Sequence, residues 1–195
     1  MGGVEQVFRV MKESKMVIPS ADELVTLVGE RAENLYDAKK ICCAEAVILT
    51  LNETFGGGLS PEMAVRLGAG FCGGMGGAGC SCGSLTGAEM ALGLFLAPNL
   101  PEGLTQKKFR AVSKELHDSF KERYSATCCR KLLKLGKEKA GPNCKELTKG
   151  GAELVTRLIL THRPELLGAG NTEFLKKRDS KILQMVKRLF GRKKA

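Results

Sequence analysis

Eight cysteines are the residues in this chain whose chemistry stands out: Cys42, Cys43, Cys72, Cys80, Cys82, Cys128, Cys129 and Cys144. They fall in four places: a doublet, a glycine-rich run, a second doublet and a late single residue. A thiolate is both a nucleophile and a soft metal ligand, so the pattern points to metal binding or thiol redox chemistry. Zinc sites usually carry C-x₂₋₄-C pairs. Apart from the doublets, the only close spacing here is Cys80-Ser81-Cys82, so zinc ranks below iron. A C-x-x-C pair of the dithiol oxidoreductase kind is absent, which weakens a metal-free thiol enzyme.

Three of the cysteines, Cys72, Cys80 and Cys82, lie in the run from Gly68 to Gly87, which is nearly stripped of side chains. Such a run has little apolar surface to pack and much conformational entropy to lose. Iron-bound cysteine sulfur is therefore expected to hold it in place. The segment Gly68-Ala-Gly-Phe-Cys-Gly73 matches G-x-G-x-x-G literally. A dinucleotide site needs a strand before that motif and a helix after it. Here a helical pattern precedes it and more glycine follows, so it is rejected. No phosphate-binding Gly-Lys-Ser/Thr is present either.

The elements that must position the cysteines read as helices throughout. Helical spacing appears over 4–11, 22–39, from Cys43 to the Gly56–Gly58 stop, from Pro61 into the glycine run, and over 85–97, 105–124, 128–135, 143–161 and 171–190. Ser60-Pro61-Glu62 is a strong helix start. Strand patterns and internal repeats are missing. The expected fold class is all-α: a compact helical bundle with a Gly/Cys-rich loop at its centre.

Apart from Cys72, the cysteines sit at or just before helix starts. The first helical turn carries free N–H groups and partial positive charge, which favours thiolate and lowers its pKa. Neighbours in a doublet point about 100° apart, so one member of each faces a given site. Cys129 aligns with Leu132 and Leu133, Cys43 with Ala46 and Val47, and Cys144 with Leu147. The expected inner set is Cys43, Cys82, Cys129 and Cys144. Cys72 and Cys80 are supplementary metal candidates, and Cys42 and Cys128 the outer doublet members. Gly83 and Gly87 are expected to let backbone approach the cofactor closely. An iron–sulfur centre needs four deprotonated cysteines, tuned by N–H bonds to sulfur. His117 and His162 are expected at the surface rather than as ligands.

The chain from about Ala32 to Leu158 resembles the redox-active protein family named for its C…GCAxxG…C…C cysteine pattern. The matching pieces are Cys43-Ala-Glu-Ala-Val, the run from Gly70 to Gly87 with Cys82-Gly-Ser-Leu-Thr-Gly, Ser125-Ala-Thr-Cys-Cys-Arg-Lys-Leu132, and Cys144. Ser84 stands where the pattern has alanine. The resemblance implies that the four family cysteines are Cys43, Cys82, Cys129 and Cys144. It also implies a redox or electron-transfer role with an iron–sulfur cluster, expected to be [4Fe–4S]. The alternatives are a metal-free thiol redox enzyme or sensor and a zinc-stabilised interaction module. The chain then divides into an amphipathic extension over 1–20, a redox-active helical domain over 21–162 and a basic amphipathic C-terminal helix over 163–195.

Charge bears on partners. Residues 1–100 hold 7 Lys and Arg against 11 Asp and Glu, whereas residues 101–195 hold 24 against 10. The basic half is expected to meet an acidic redox partner or an anionic membrane surface; nucleic acid is disfavoured because no recognised motif accompanies the charge. A basic-then-apolar leader is absent after Met1, Gln6 breaks a myristoylation pattern at Gly2, and the longest apolar run, 90–97, is far short of the ~20 residues a membrane helix needs. The expected location is cytoplasmic, with peripheral membrane attachment open.

Overall fold

Every long helix starts where the sequence supplies either a polar cap or a cysteine. The computed structural model describes residues 18–38, 41–138 and 141–180. Helix α1 (Ala21–Asp37) begins on Ser20, whose hydroxyl accepts the Glu23 N–H. Helix α2 (Cys43–Phe55) begins on Cys42 and stops at Gly56, which is left-handed at φ 67°. Helix α3 (Pro61–Gly68) uses Ser60 as cap and Pro61 in its first turn. A 3₁₀ turn (Ala69–Phe71) then leads into the glycine loop. Helix α4 (Gly83–Leu96) begins on Cys82, α5 (Gln106–Tyr124) on Thr105 and α6 (Cys129–Lys137) on Cys128. Helix α7 (Cys144–His162) begins on Asn143, where Asn143 and Glu146 form a reciprocal capping box. A 3₁₀ turn (Pro164–Ala169) and the short α8 (Thr172–Lys176) follow.

The fold is all-α, as the sequence predicts. Among the described residues no strand forms; Ser81 and Cys128 make one isolated antiparallel bridge. The expected helix over 4–11 lies outside the described residues.

Helix α4 is apolar on most sides and runs through the middle of the bundle, packing on α2, α7 and α5. Its buried residues include Leu85, Ala88, Ala91, Leu92, Phe95 and Leu96. Helix α7 packs along α1 and also against α4 and α2. The stripe on α5 buries Val112, Leu116 and Phe120, continuing to Tyr124, with Phe109 only partly covered.

The C-terminal segment departs from expectation. A single helix over 171–190 is not formed in its described part: α8 stops at Lys176, and 177–180 run without helix. The reason is competition from α1. Asn34 accepts the Asp179 N–H at 2.8 Å and donates to the Asp179 carbonyl, while Arg31 bonds the Lys177 carbonyl and the Asp179 carboxylate. Leu175 is completely buried, and the Phe174 ring lies under the Arg31 guanidinium at 4.7 Å. The segment up to Asp179 thus packs on α1.

Two ion pairs of that segment should behave differently. Arg31 is 3% exposed, so Asp179→Ala leaves a buried cation short of its carboxylate and should cost about 3 kcal/mol. Arg178 and Glu30 are 48% and 39% exposed, so Arg178→Ala should cost less than about 1 kcal/mol. Equilibrium denaturation of both variants checks the difference.

Candidate metal centre

Four helix starts converge. Cys43 is the first residue of α2, Cys82 immediately precedes α4, Cys129 opens α6 and Cys144 opens α7. All four line one cavity of about 140 Å³. Leu132, Leu133 and Leu147 supply its apolar wall, and Tyr36 from the last turn of α1 reaches into it. The Cys144 thiol is near enough to the Tyr36 hydroxyl to help burial hold the hydroxyl's pKa above its ordinary value. The fold brings the expected inner set together, and Cys42, expected as an outer doublet member, lines the same cavity beside Cys43.

The positions are held by backbone packed on backbone. A Cβ added at Gly83 would lie 2.5 Å from the Cys43 sulfur and 2.9 Å from the Phe71 carbonyl oxygen. One at Gly87 would lie 2.6 Å from the Ala44 carbonyl oxygen, and one at Gly68 would lie 2.7 Å from the Glu45 nitrogen. Gly83 thus borders a cavity sulfur, whereas Gly87 serves the approach of α4 to α2 and does not line the cavity.

Protein contacts hold the glycine loop at both ends. Its own amides close turns, Gly77 N–H to the Cys72 carbonyl and Cys80 N–H to that of Gly74. Its far end is fastened to α6: Cys129 N–H donates to the Cys80 carbonyl at 2.6 Å and Arg130 N–H to that of Gly79 at 3.1 Å. Its near end is fastened by a disulfide-like pair between Cys72 and Cys42, Cα atoms 5.9 Å apart. Gly74 must be glycine: its φ is 71°, and a Cβ there would meet the Cys129 Cβ at 2.5 Å.

The supplementary candidates stand elsewhere. Cys72 is paired with Cys42, and Cys80 is exposed away from the cavity. Cys128 is also exposed, its thiol donating to the Gly79 carbonyl at 3.1 Å. His117 and His162 are exposed on α5 and α7. Sequence reasoning missed Tyr36, which lies in the helix expected over 22–39. The signal was there: a tyrosine on a buried face needs a partner for its hydroxyl. It also missed the Cys42–Cys72 pairing, for which spacing carries no signal.

The expectation of lowered thiol pKa values fails for the protein without metal. Burial pushes Cys43 up to about 11, although the amides of Ala44 and Cys43 pull the other way. Burial pushes Cys82 up to about 12 against the amides of Ser84 and Leu85. Cys129 is also raised, by burial and then by Cys144. Desolvation and mutual repulsion thus outweigh the helix N–H groups, and at neutral pH these sulfurs are protonated.

The spacing of the sulfurs limits what they can hold. Four sulfurs on one zinc ion, each about 2.3 Å from it, would sit about 3.8 Å from one another. Among the described residues, the only group with three ligand atoms mutually within 4.8 Å is Cys42, Glu45 and Cys72. No three of the cavity sulfurs are that close.

The family model for the putative redox-active protein with the C_GCAxxG_C_C pattern matches residues 41–158, more than half of the chain. The chain belongs to this family. The match covers all four cavity cysteines and stops short of Tyr36. No curated protein and no solved structure matches the chain. Ser84 is fully buried and donates its hydroxyl to the Leu147 carbonyl of α7. Gly151 makes room for it, since a side chain there would collide with that hydroxyl.

Two consequences can be measured. Gly83→Ala and Gly87→Ala should each destabilise the fold by about 1–3 kcal/mol through overpacking. Gly70→Ala, with open space around it, should be near neutral. The second concerns pH. The folded pKa values of Cys43 and Cys82 lie above the ordinary 9.0, so the folded state keeps its protons longer than the unfolded chain. That contribution is complete below pH 9 and is lost as pH rises toward 11–12. Melting temperature of metal-free protein should fall across this window more steeply than in Cys82→Ala.

Proposed function

We propose that this protein is a small redox protein carrying an iron–sulfur cluster of the [4Fe–4S] type on Cys43, Cys82, Cys129 and Cys144. The observation that carries the reading is the single cavity lined by these four thiols, each delivered by the start of a different helix. The donor set fits such a group: four sulfurs, an apolar wall, and first-turn amides facing the Cys43 and Cys82 sulfurs. When bound, the cluster would supply one-electron transfer. The chain supplies the rest. Leu132 and Leu147 keep water from the cavity, and the amides of Ser84 and Leu85 place positive partial charge at the Cys82 sulfur. Tyr36 places its hydroxyl near the Cys144 sulfur. Loading requires the thiols to give up protons, so affinity for iron rises with pH.

The two competing readings are less well supported. A metal-free thiol enzyme built on the inner set needs a thiolate near neutral pH, which the buried Cys43 and Cys82 do not provide. Zinc needs sulfurs closer together than these are.

An acidic electron-transfer partner fits the outer face of α6. While Cys129 and Leu132 turn inward, Arg130, Lys131, Lys134 and Lys137 are exposed beside the cavity. Among the described residues no helix is long and apolar enough to cross a membrane.

Protein purified without oxygen should be brown and contain iron and sulfide at about 4 each per chain, as the cluster formula requires. Cys43→Ser, Cys82→Ser, Cys129→Ser and Cys144→Ser should each lose most of that iron, while Cys80→Ser and Cys128→Ser keep it. Iron analysis with electron paramagnetic resonance decides. Colourless protein that takes up one zinc ion, or full iron content in Cys129→Ser, would overturn the assignment.

A further inference from the structure

We propose that Cys42 and Cys72 form a second redox centre, a reversible dithiol–disulfide couple that exchanges electrons with external dithiols. The two side chains are already paired, between the cap residue of α2 and the first residue of the glycine loop after its 3₁₀ turn. Neither is sealed in the core: both are half-buried. The pair is also not a remote staple. Cys42 lines the four-cysteine cavity directly, and so does Gly73, the residue after Cys72. A reducible bond therefore forms part of the rim of that cavity.

Exchange proceeds in two balanced displacements. A thiolate of the incoming dithiol attacks the Cys72 sulfur, on the loop side beside the exposed Gly73. The Cys42–Cys72 bond breaks, and Cys42 leaves with the electron pair. The second thiol of the dithiol then attacks its own partner sulfur in the mixed disulfide and releases Cys72. The dithiol ends as a disulfide, having lost two electrons and two protons. Cys42 and Cys72 have gained both, and the reverse reaction reoxidises them.

Opening the bond has a structural consequence that a surface disulfide would lack. The far end of the loop stays fastened to α6 through the Gly79 and Cys80 carbonyls. The near end keeps its turn bonds, including those from the Gly79 and Cys80 amides to the Gly73 and Gly74 carbonyls. Reduction therefore frees Cys72 from the start of α2 while leaving the four inner cysteines on their helices. This couple stands whether or not those four hold iron.

The test is made on the full chain, both metal-free and after iron reconstitution. Protein is equilibrated in mixtures of oxidised and reduced dithiothreitol, alkylated, and mapped by peptide mass. Cys42 and Cys72 should pass together from protected to alkylated in one two-electron transition, a gain of two labelled thiols. Cys80 and Cys128 should label at every ratio. Cys42→Ser and Cys72→Ser should each leave the remaining partner labelled throughout. If either variant fails to fold, the wild-type labelling alone decides. Labelling of both residues in the most oxidising mixture overturns the proposal. So does protection of both at every ratio that a chelator relieves, since Cys42, Glu45 and Cys72 would then be a metal site. A protein that binds no iron yet shows the transition retains this couple and refutes only the cluster.

Discussion

Backbone packed against backbone at Ala44 is the constraint from which the site follows. Ala44 is completely buried, and three glycines close on it and its neighbours: Gly68 from α3, and Gly83 and Gly87 from α4. None of the three can carry a Cβ without displacing backbone or the Cys43 sulfur. This contact brings the starts of α2 and α4 together, so Cys43 and Cys82 face one another without flexible side chains intervening. Helix α7 is then registered on α4 through the Ser84 hydroxyl and the Leu147 carbonyl. That bond places the start of α7, and with it Cys144, at the same cavity. Helix α6 is added last, through the bonds from its first amides to Gly79 and Cys80.

At the sulfurs two familiar effects oppose each other, and burial wins. A helix start favours thiolate by a few tenths to 1 kcal/mol for an exposed group, on the order expected of a helix dipole. Removing a thiolate from water costs more, and two further thiols around the same cavity add repulsion at each of Cys43 and Cys82. Cys43, Cys82 and Cys129 therefore keep their protons at neutral pH. The same amides would favour the thiolate form if the sulfurs held a metal, as proposed above. Cys82 and Cys128 make no side-chain cap bond at the starts of α4 and α6, where serine, threonine, aspartate or asparagine would, whereas at α2 the Glu45 carboxylate accepts the Cys42 N–H.

That substitution of cysteine for a capping residue is also why so much was legible in the sequence. Helix starts leave a local signature, and the inner set could be read from the i+3 and i+4 neighbours of each cysteine. The helices themselves were legible to within a few residues, because Ser20, Gly56, Ser60, Pro61 and Asn143 act within one turn. What remained hidden depends on contacts distant in sequence. Tyr36 meets Cys144 across 108 positions, and Cys42 meets Cys72 across a loop whose path no pattern encodes. The C-terminal segment misled for the same reason. Its residues have helical periodicity, yet Asn34 and Arg31 of α1 offer its backbone better partners than the next helical turn.

The doublets gain their meaning from this arrangement. Adjacent residues at a helix start point about 100° apart, so a doublet can serve two places at once. Cys43 and Cys129 turn into the cavity. Their neighbours turn to the glycine loop: Cys42 bonds Cys72 at its near end, and the Cys128 thiol donates to Gly79 at its far end. Each doublet thus ties one end of the loop to the helix start that carries a cavity cysteine. A loop of this composition could not hold itself against the entropy of its glycines, and the turn bonds within it are too local to fix its position. Anchored at both ends by the outer cysteines, it borders the cavity at Gly73 with backbone alone.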